Sequence, residues 1–391
     1  MYKRAIFKEL KALAKEFRVV TVLGPRQSGK TTLCRMAFPD YQYVSLEDPD
    51  TRLFASEDPR GFLNEYRRHV IFDEVQRVPQ LLSYIQTIVD EDGLKAQFIL
   101  TGSHQLELGA AISQSLAGRT ARLTLLPLSM QELKQEPAIN EDDLNKYLLN
   151  GFMPGKHADH VDTARFYRSY FQTYVERDVR LIINLKDTGK FEKFVRLCAG
   201  RVGQLLNQAS LANDVGVSSN TISDWISVLE ASFIIYRLQP YYENIGKRLV
   251  KSAKLYFVDT GLAAWLMGIE TTTQMQRDPL RGNLFENLII IEVLKSKLNR
   301  GKDPRLFFYR DSHGNEVDLV MQNGHSLIPV EIKSSQTWHS SFLKGIRYFK
   351  NLLGERVEKG TVIYGGEANR TTDDYMLRSY KALETKRFGF D

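Results

Sequence analysis

Val19-Val-Thr-Val-Leu-Gly24-Pro-Arg-Gln-Ser-Gly29-Lys30-Thr31-Thr32-Leu33 is an apolar run of strand character that ends in Gly-x-x-x-x-Gly-Lys-Thr and then opens a helix. Gly24 and Gly29 let the loop wrap closely, so that its backbone N–H groups face phosphate oxygens. A helix starting at Lys30 turns the positive end of its dipole to the same place. In this pattern Lys30 reaches the β- and γ-phosphates and the Thr31 hydroxyl holds Mg²⁺. The expected nucleotide-binding set is Gly24, Pro25, Arg26, Gln27, Ser28, Gly29, Lys30, Thr31 and Thr32.

A loop of this kind that hydrolyses ATP needs an acidic strand end beside it. His69-Val70-Ile71-Phe72-Asp73-Glu74 supplies one, with Val70 to Phe72 reading as a buried parallel strand. Asp73 is expected to hold Mg²⁺ through water and Glu74 to polarise the attacking water. A third strand, Gln97 to Ser103, ends in polar groups. In such ATPases a polar side chain here lies between the phosphates and the acidic pair, a role open to Ser103 or Thr101. Arg119, in Leu116-Ala-Gly-Arg119-Thr120, is a candidate arginine finger toward a neighbouring subunit, against the plainer reading of a surface salt-bridge partner.

The chain has 391 residues, enough for two or three domains. With 43% hydrophobic and 26% charged residues it falls in the soluble globular class. Net charge is +6 and the sequence pI about 9.0, which suits a polyanionic partner such as DNA. Two distant cysteines, Cys34 and Cys198, exclude a disulfide scaffold and read as buried, reduced thiols. No apolar run reaches membrane-spanning length and Met1-Tyr-Lys-Arg lacks a signal-peptide core, so no membrane partner and a cytoplasmic location are expected.

Taken in order, residues 3–18 show helical spacing, with Ile6, Leu10 and Leu13 on one face. Strands and helices then alternate through Leu126 and Pro127, which predicts a parallel sheet covered on both faces. Residues 140–200 read as helices, and Tyr167 to Asn184 forms one carrying Arg177 and Arg180, a lid on the nucleotide site. Leu211 to Leu229 reads as a helix-turn-helix, with Gly216 in the turn. Phe233–Leu238 and Lys254–Val258 read as strands of a wing. The second helix exposes Asn220, Thr221, Ser223, Asp224 and Ser227, none of them basic. Lys247, Arg248, Lys251 and Lys254 lie in the wing instead, a layout suited to DNA-backbone contact.

Residues 280–365 carry a third constellation. Glu286 lies in an apolar helix. Glu316-Val-Asp318 and Glu331-Ile-Lys333 lie on two strands joined by Asn323-Gly324, a strong hairpin turn. Period-two geometry brings Asp318, Glu331 and Lys333 to one face. Asp318 and Glu331 are expected to bind Mg²⁺, Glu286 to assist through water, and Lys333 to orient the nucleophile, as in a phosphodiester-cleaving site. A helix and a strand after the hairpin complete an αβββαβ order.

On Gly24-Pro-Arg-Gln-Ser-Gly-Lys-Thr-Thr, Ile71-Phe-Asp-Glu-Val-Gln, Leu100-Thr-Gly-Ser and Leu116-Ala-Gly-Arg, the first third resembles AAA+ ATPases of the signalling, STAND-like branch. The rest is similar to a prokaryotic family in which this ATPase is fused to a domain of unknown function. It carries Tyr174-Val-Glu-Arg-Asp-Val-Arg180, Lys254-Leu-Tyr-Phe-Val-Asp-Thr-Gly-Leu262, Gly282-Asn-Leu-Phe-Glu-Asn287, Glu316-Val-Asp318 and Val330-Glu-Ile-Lys333. The last third resembles the PD-(D/E)xK nuclease fold, without a Pro before Asp318. The resemblance implies an α/β chain: an AAA+ core over 1–135, a helical lid over 136–200, a winged helix over 201–270 and a nuclease-like domain over 271–391. It implies ATP with Mg²⁺, and Mg²⁺ or Mn²⁺ at the nuclease-like site. Expected partners are DNA and further copies of the chain. The activity implied is ATP hydrolysis coupled to DNA binding and metal-dependent cleavage; the alternative is a regulatory switch with a silent nuclease-like domain.

Overall fold

The computed structural model describes residues 2–103, 115–135, 143–176, 187–242 and 251–385. Its first layer is a five-stranded sheet built from β1 (Val19–Leu23), β2 (Gln42–Ser45), β3 (Val70–Asp73), β4 (Phe98–Gly102) and β5 (Thr120–Thr124). The strands run parallel in the order β2-β3-β4-β1-β5. The three central strands β3, β4 and β1 are buried on both faces, which is why they read as near-continuous apolar runs, while the edge strands β2 and β5 are partly exposed. Val19, Leu23, Phe72, Phe98 and Leu100 join the large core on one face. Val20, Val22, Ile71 and Ile99 pack on the other against Ile6, which precedes the Phe7–Glu16 helix, Leu10 of that helix and Leu33 of the Lys30–Ala37 helix. The helical stretch expected over Arg52 to Arg68, with an interruption at Asp58-Pro59, is two helices, Pro49–Glu57 and Pro59–Glu65, broken at that point. Asp58 ends the first, caps the second by accepting from Gly61 N–H, and is followed by Pro59 at the first helical position.

The middle of the chain is helical. The Gln208–Val215 and Ser219–Ala231 helices are joined through Gly216, which holds φ +79°, and Ser218 caps the second. The helix expected over Tyr167 to Asn184 is described as Thr163–Tyr170 followed by a π-helical turn, Phe171–Glu176. Arg177 and Arg180 lie outside the described residues.

The second sheet has eight strands, adding β6 (Ile235–Pro240), β7 (Lys254–Phe257), β8 (Leu306–Arg310), β9 (Glu316–Asn323), β10 (Ser326–Lys333), β11 (Gly360–Tyr364), β12 (Arg370–Thr371) and β13 (Tyr375–Ser379). Their order is β12-β13-β11-β10-β9-β8-β6-β7. The hairpin at Asn323-Gly324 forms as expected, with Ser326 opposite Asn323 and Val330 opposite Leu319. The two strands expected to form a self-contained wing do pair with each other, antiparallel. They are also part of this sheet, because Gln239 and Pro240 of β6 pair with Phe307 and Phe308 of β8. That pairing buries Leu238 and Phe308 and satisfies an edge that a lone wing would leave open.

The Arg281–Leu298 helix runs through the centre. It is apolar almost all round, as a fully buried helix must be, and Leu284, Phe285 and the unbroken run Asn287 to Lys295 are buried. Its polar members have assigned partners. Glu292 and Lys295 pair at 2.9 Å. Asn287 accepts from Phe257 N–H at 2.7 Å and donates to Phe257 C=O at 2.8 Å, standing in for a neighbouring strand.

Candidate functional sites

The first site forms where β1 ends, between β4 and β5, at the crevice where open α/β sheets bind ligands. Gly24 passes so close to the next strand that a Cβ there would stand 2.1 Å from Leu125 O. Gly29 holds φ +88° at the start of the helix. Lys30 is buried, and its ammonium donates to Gly24 O at 3.0 Å and Pro25 O at 2.9 Å. Burial holds its pKa below the ordinary lysine value, against the pull of Glu74 and Asp73. Ser28 Oγ is buried without a partner among the described residues, an unmet polar atom in the cradle. Arg26 is paired with Glu47 at 2.7 Å. Arg26, Gln27 and Thr32 line the adjoining cavity of about 1370 Å³, as do Tyr2, Arg4 and residues of the Thr163–Tyr170 helix.

Thr31 Oγ1 donates to Asp73, 3.0 Å from each carboxylate oxygen, and Tyr43 OH donates to Asp73 Oδ2 at 2.8 Å. The choice left open between Thr101 and Ser103 is divided between them. Thr101 Oγ1 donates to Asp73 and accepts from Glu74 N–H, whereas Ser103 Oγ donates to Glu74 Oε2 at 2.8 Å. Gln76 Nε2 also donates to Glu74 Oε2 and, at 3.1 Å, to Ser103 Oγ. Burial works to raise the Glu74 pKa, but Lys30 and these donors outweigh it, and Glu74 titrates below the usual carboxylate range. The donor set fits a nucleotide with Mg²⁺: Thr31 and Asp73 would hold the ion, which when bound neutralises phosphate charge.

Arg119 stands elsewhere. It lies at the start of β5, the opposite end of the sheet from the phosphate loop, and its Nε and Nη2 reach Asp90 at 2.7–2.9 Å. The same carboxylate also takes Arg18 at 2.6 Å. Within this chain Arg119 is a salt-bridge partner.

Sequence reading missed Arg4. Its guanidinium donates to Ser28 O and Leu126 O, each at 2.6 Å, and pairs with Glu132 at 3.2 Å, bracing the phosphate loop from behind. Its only signal was one basic residue among several. Gln76 and Tyr43 were also missed; Gln76 was visible as the last residue of Asp73-Glu-Val-Gln76.

The second cluster lies in the eight-stranded sheet, and Glu286, Asp318, Glu331 and Lys333 do converge there. Lys333 Nζ reaches Asp318 Oδ2 at 2.9 Å and Glu331 Oε2 at 2.6 Å. Asp318 Oδ2 also accepts from Ile332 N–H at 2.8 Å. Burial works to raise Asp318, but Lys333 and Lys254 hold it below its ordinary value. Burial and the charge of Asp318 push Glu331 well above its own. Lys254 is the unexpected member. Read from sequence as an exposed wing residue, its side chain is 3% exposed and lies 2.9 Å from Glu286 Oε1 and 2.5 Å from Glu316 Oε1. Tyr256 OH donates to the same Glu286 oxygen at 2.5 Å.

The expected metal ligands Glu286, Asp318 and Glu331 therefore hold lysine ammoniums. Among the described residues no three or more His, Cys, Asp or Glu are arranged to hold a metal ion. These residues do not fit the Mg²⁺ or Mn²⁺ expected there, because the cations between the carboxylates belong to the chain itself. Of the expected DNA-contacting residues, Lys251 is exposed and Lys247 and Arg248 lie outside the described residues.

Residues 16–134 match a family model described as AAA domain. That segment is similar to AAA-type P-loop domains. Residues 141–273 match a domain of unknown function, DUF8612, and residues 281–383 another, DUF4143. Uncharacterized proteins of Mycobacterium tuberculosis and Mycobacterium bovis are each 29% identical over 92% of this chain and 79% of their own length. One from Haemophilus influenzae is 24% identical over 75% of this chain and 72% of its own. Among solved structures, a Walker-type ATPase of Pyrococcus abyssi covers 68% of this chain and 96% of its own, at 16% identity and a TM-score of 0.45. AMPPCP-bound DnaA from Aquifex aeolicus covers 57% and 86%, at 16% identity and a TM-score of 0.31. No helix among the described residues is long and apolar enough to cross a membrane.

Proposed function

We propose that the chain is an ATP-driven switch whose nucleotide state changes how its C-terminal half holds DNA. Support for hydrolysis centres on Glu74: ionised, 2.8 Å from Ser103, and adjacent to the Thr31–Asp73 pair. Lys30 and the loop amides would hold the phosphates, Thr31 and Asp73 the magnesium, and Glu74 would orient the attacking water. DNA as partner is supported by the net charge of +6 and the exposed Lys251. Assembly into a homo-oligomer belongs to the same reading, as does division of the chain near residues 135 and 200; the expected boundary near 270 falls inside one shared sheet.

A buried polar route supports coupling. Arg4 links the phosphate loop to Glu132; Glu292 of the central helix accepts from Met130 N–H at 2.9 Å; Lys295 donates to Leu128 O at 2.8 Å. The same helix carries Glu286 and Asn287 to the second sheet.

Purified protein is assayed for Mg²⁺-dependent ATP hydrolysis, and for affinity to labelled duplex and single-stranded DNA with ADP and with a non-hydrolysable ATP analogue. Glu74→Gln should keep nucleotide binding and lose about 10²–10⁴-fold in hydrolysis, and Lys30→Ala should lose both. DNA affinity that is equal in the two nucleotide states would refute the switch. Metal-dependent cutting of the DNA that Asp318→Ala abolishes would replace holding by cleavage.

A further inference from the structure

We infer that Lys254 is the resident cation of the C-terminal carboxylate cluster and that it closes this cluster to divalent metal. The inference deepens the proposed holding role of the C-terminal half, but it rests on a different observation: where one strand delivers one lysine.

Lys254 comes from β7, outside the hairpin that carries Asp318, Glu331 and Lys333. Its backbone is pinned on both sides. Lys254 pairs with Leu238 of β6 on one edge and bridges to Leu205 on the other. Leu255 C=O accepts from Gly203 N–H at 2.7 Å. Asn287 then clamps Phe257 through both its backbone groups. Strand register therefore fixes where the side chain enters, and Phe308 lines its path with a ring centroid 5.5 Å from the ammonium.

The ammonium bridges Glu286 and Glu316, from helix and hairpin, and Tyr256 completes the shell of Glu286. A divalent ion on these oxygens must displace Lys254. The displaced ammonium would have little water to reach, because the side chain is 3% exposed and its stem is enclosed. Charge leads to the same result. Lys254, Lys333 and Arg310, which is 3.2 Å from Glu316, already set three positive charges among Glu286, Glu316, Asp318 and Glu331, and Glu331 is biased toward its neutral form, so a divalent ion would add charge to a cluster whose carboxylates are already matched.

The test is calorimetric titration of the full chain with Mn²⁺, without nucleotide, for wild type, Lys254→Met, Asp318→Asn and the double variant. We expect no cluster binding in wild type. Lys254→Met should gain a site at least about tenfold tighter, and the double variant should lose it again. Wild-type binding that Asp318→Asn removes would overturn the inference. So would a Lys254→Met protein that is folded by circular dichroism and gains nothing. Should that variant not fold, reductive methylation of wild type read by mass spectrometry decides: Lys254 should stay unmodified with and without millimolar Mn²⁺, and modification appearing with Mn²⁺ overturns the inference. None of these readouts uses ATP hydrolysis or DNA, so a failure here and a failure of the switch are told apart.

Discussion

Replacing Lys295 by Met tests the buried pair that ties the central helix to the ATPase domain. Lys295 Nζ meets Glu292 Oε1 at 2.9 Å and Leu128 O at 2.8 Å, and lies 4.3 Å from the Phe152 ring centroid. Met keeps most of the aliphatic volume, so the loss is electrostatic rather than a cavity. Removing one partner of a buried ion pair costs about 3–5 kcal/mol, because the other charge stays behind. Glu292 keeps one charge-assisted hydrogen bond, from Met130 N–H at 2.9 Å, which offsets part of that. The expected loss is therefore about 3 kcal/mol, read as a lowered urea midpoint by tryptophan fluorescence. Converting Glu292 to Gln in the same protein removes the stranded charge and keeps an acceptor for Met130. The double variant should recover at least about 1 kcal/mol, a coupling that independent sites do not show. Added salt should leave the wild-type difference unchanged, because the pair is buried. A Lys295→Met protein as stable as wild type, or a double variant less stable than the single, would refute the argument.

Three further outcomes are expected. Gly24→Ala places a methyl 2.1 Å from Leu125 O, so the phosphate loop must shift; nucleotide affinity should fall at least about tenfold in fluorescent-nucleotide titration while the circular dichroism spectrum is kept. His157 is buried against Gly151 O, and burial, with Lys156 beside it, brings its pKa down to about 4. The unfolded chain takes up the proton first, so this contribution is complete above about pH 6.5 and is lost as pH falls toward 4; about 2 kcal/mol should go by pH 5, and His157→Gln should flatten that part of the melting-temperature profile. Asn287→Ala leaves Phe257 N–H and C=O unpaired in the core and should cost about 2–4 kcal/mol, with faster amide exchange across Lys254–Phe257 than elsewhere in the sheet.

What sequence made legible was local. The strand–loop–helix at Lys30, the acidic strand end at Asp73 and the hairpin at Asn323-Gly324 each announce themselves within a dozen residues, because turn chemistry and period act at that range. The partners of Lys254 did not. Its two carboxylates, Glu316 at 2.5 Å and Glu286 at 2.9 Å, stand on the hairpin and the central helix, which the β6–β8 pairing and the Asn287–Phe257 hydrogen bonds bring to β7. A basic residue at the start of a wing strand therefore read as exposed. Arg4 was hidden for a similar reason: Ser28 and Leu126, which it joins, are 24 and 122 residues distant. The two-residue edge strand β12 carried too few residues to show a period of two.

The shared sheet also bears on how such a chain can be cut or recombined. A break near residue 270 falls in a connection between helices, where composition suggests a seam, yet β6 and β7 lie before it and their neighbour β8 after it. Removing the last segment would strip β6 of its parallel neighbour and leave a raw edge of unmet amides and carbonyls, open to a strand from any other molecule. Removing the first part would leave Glu286 and Glu316 without the ammonium that balances them. The halves are therefore heritable together: an exchange of the C-terminal segment between relatives should succeed only when the strand bearing Lys254 travels with it.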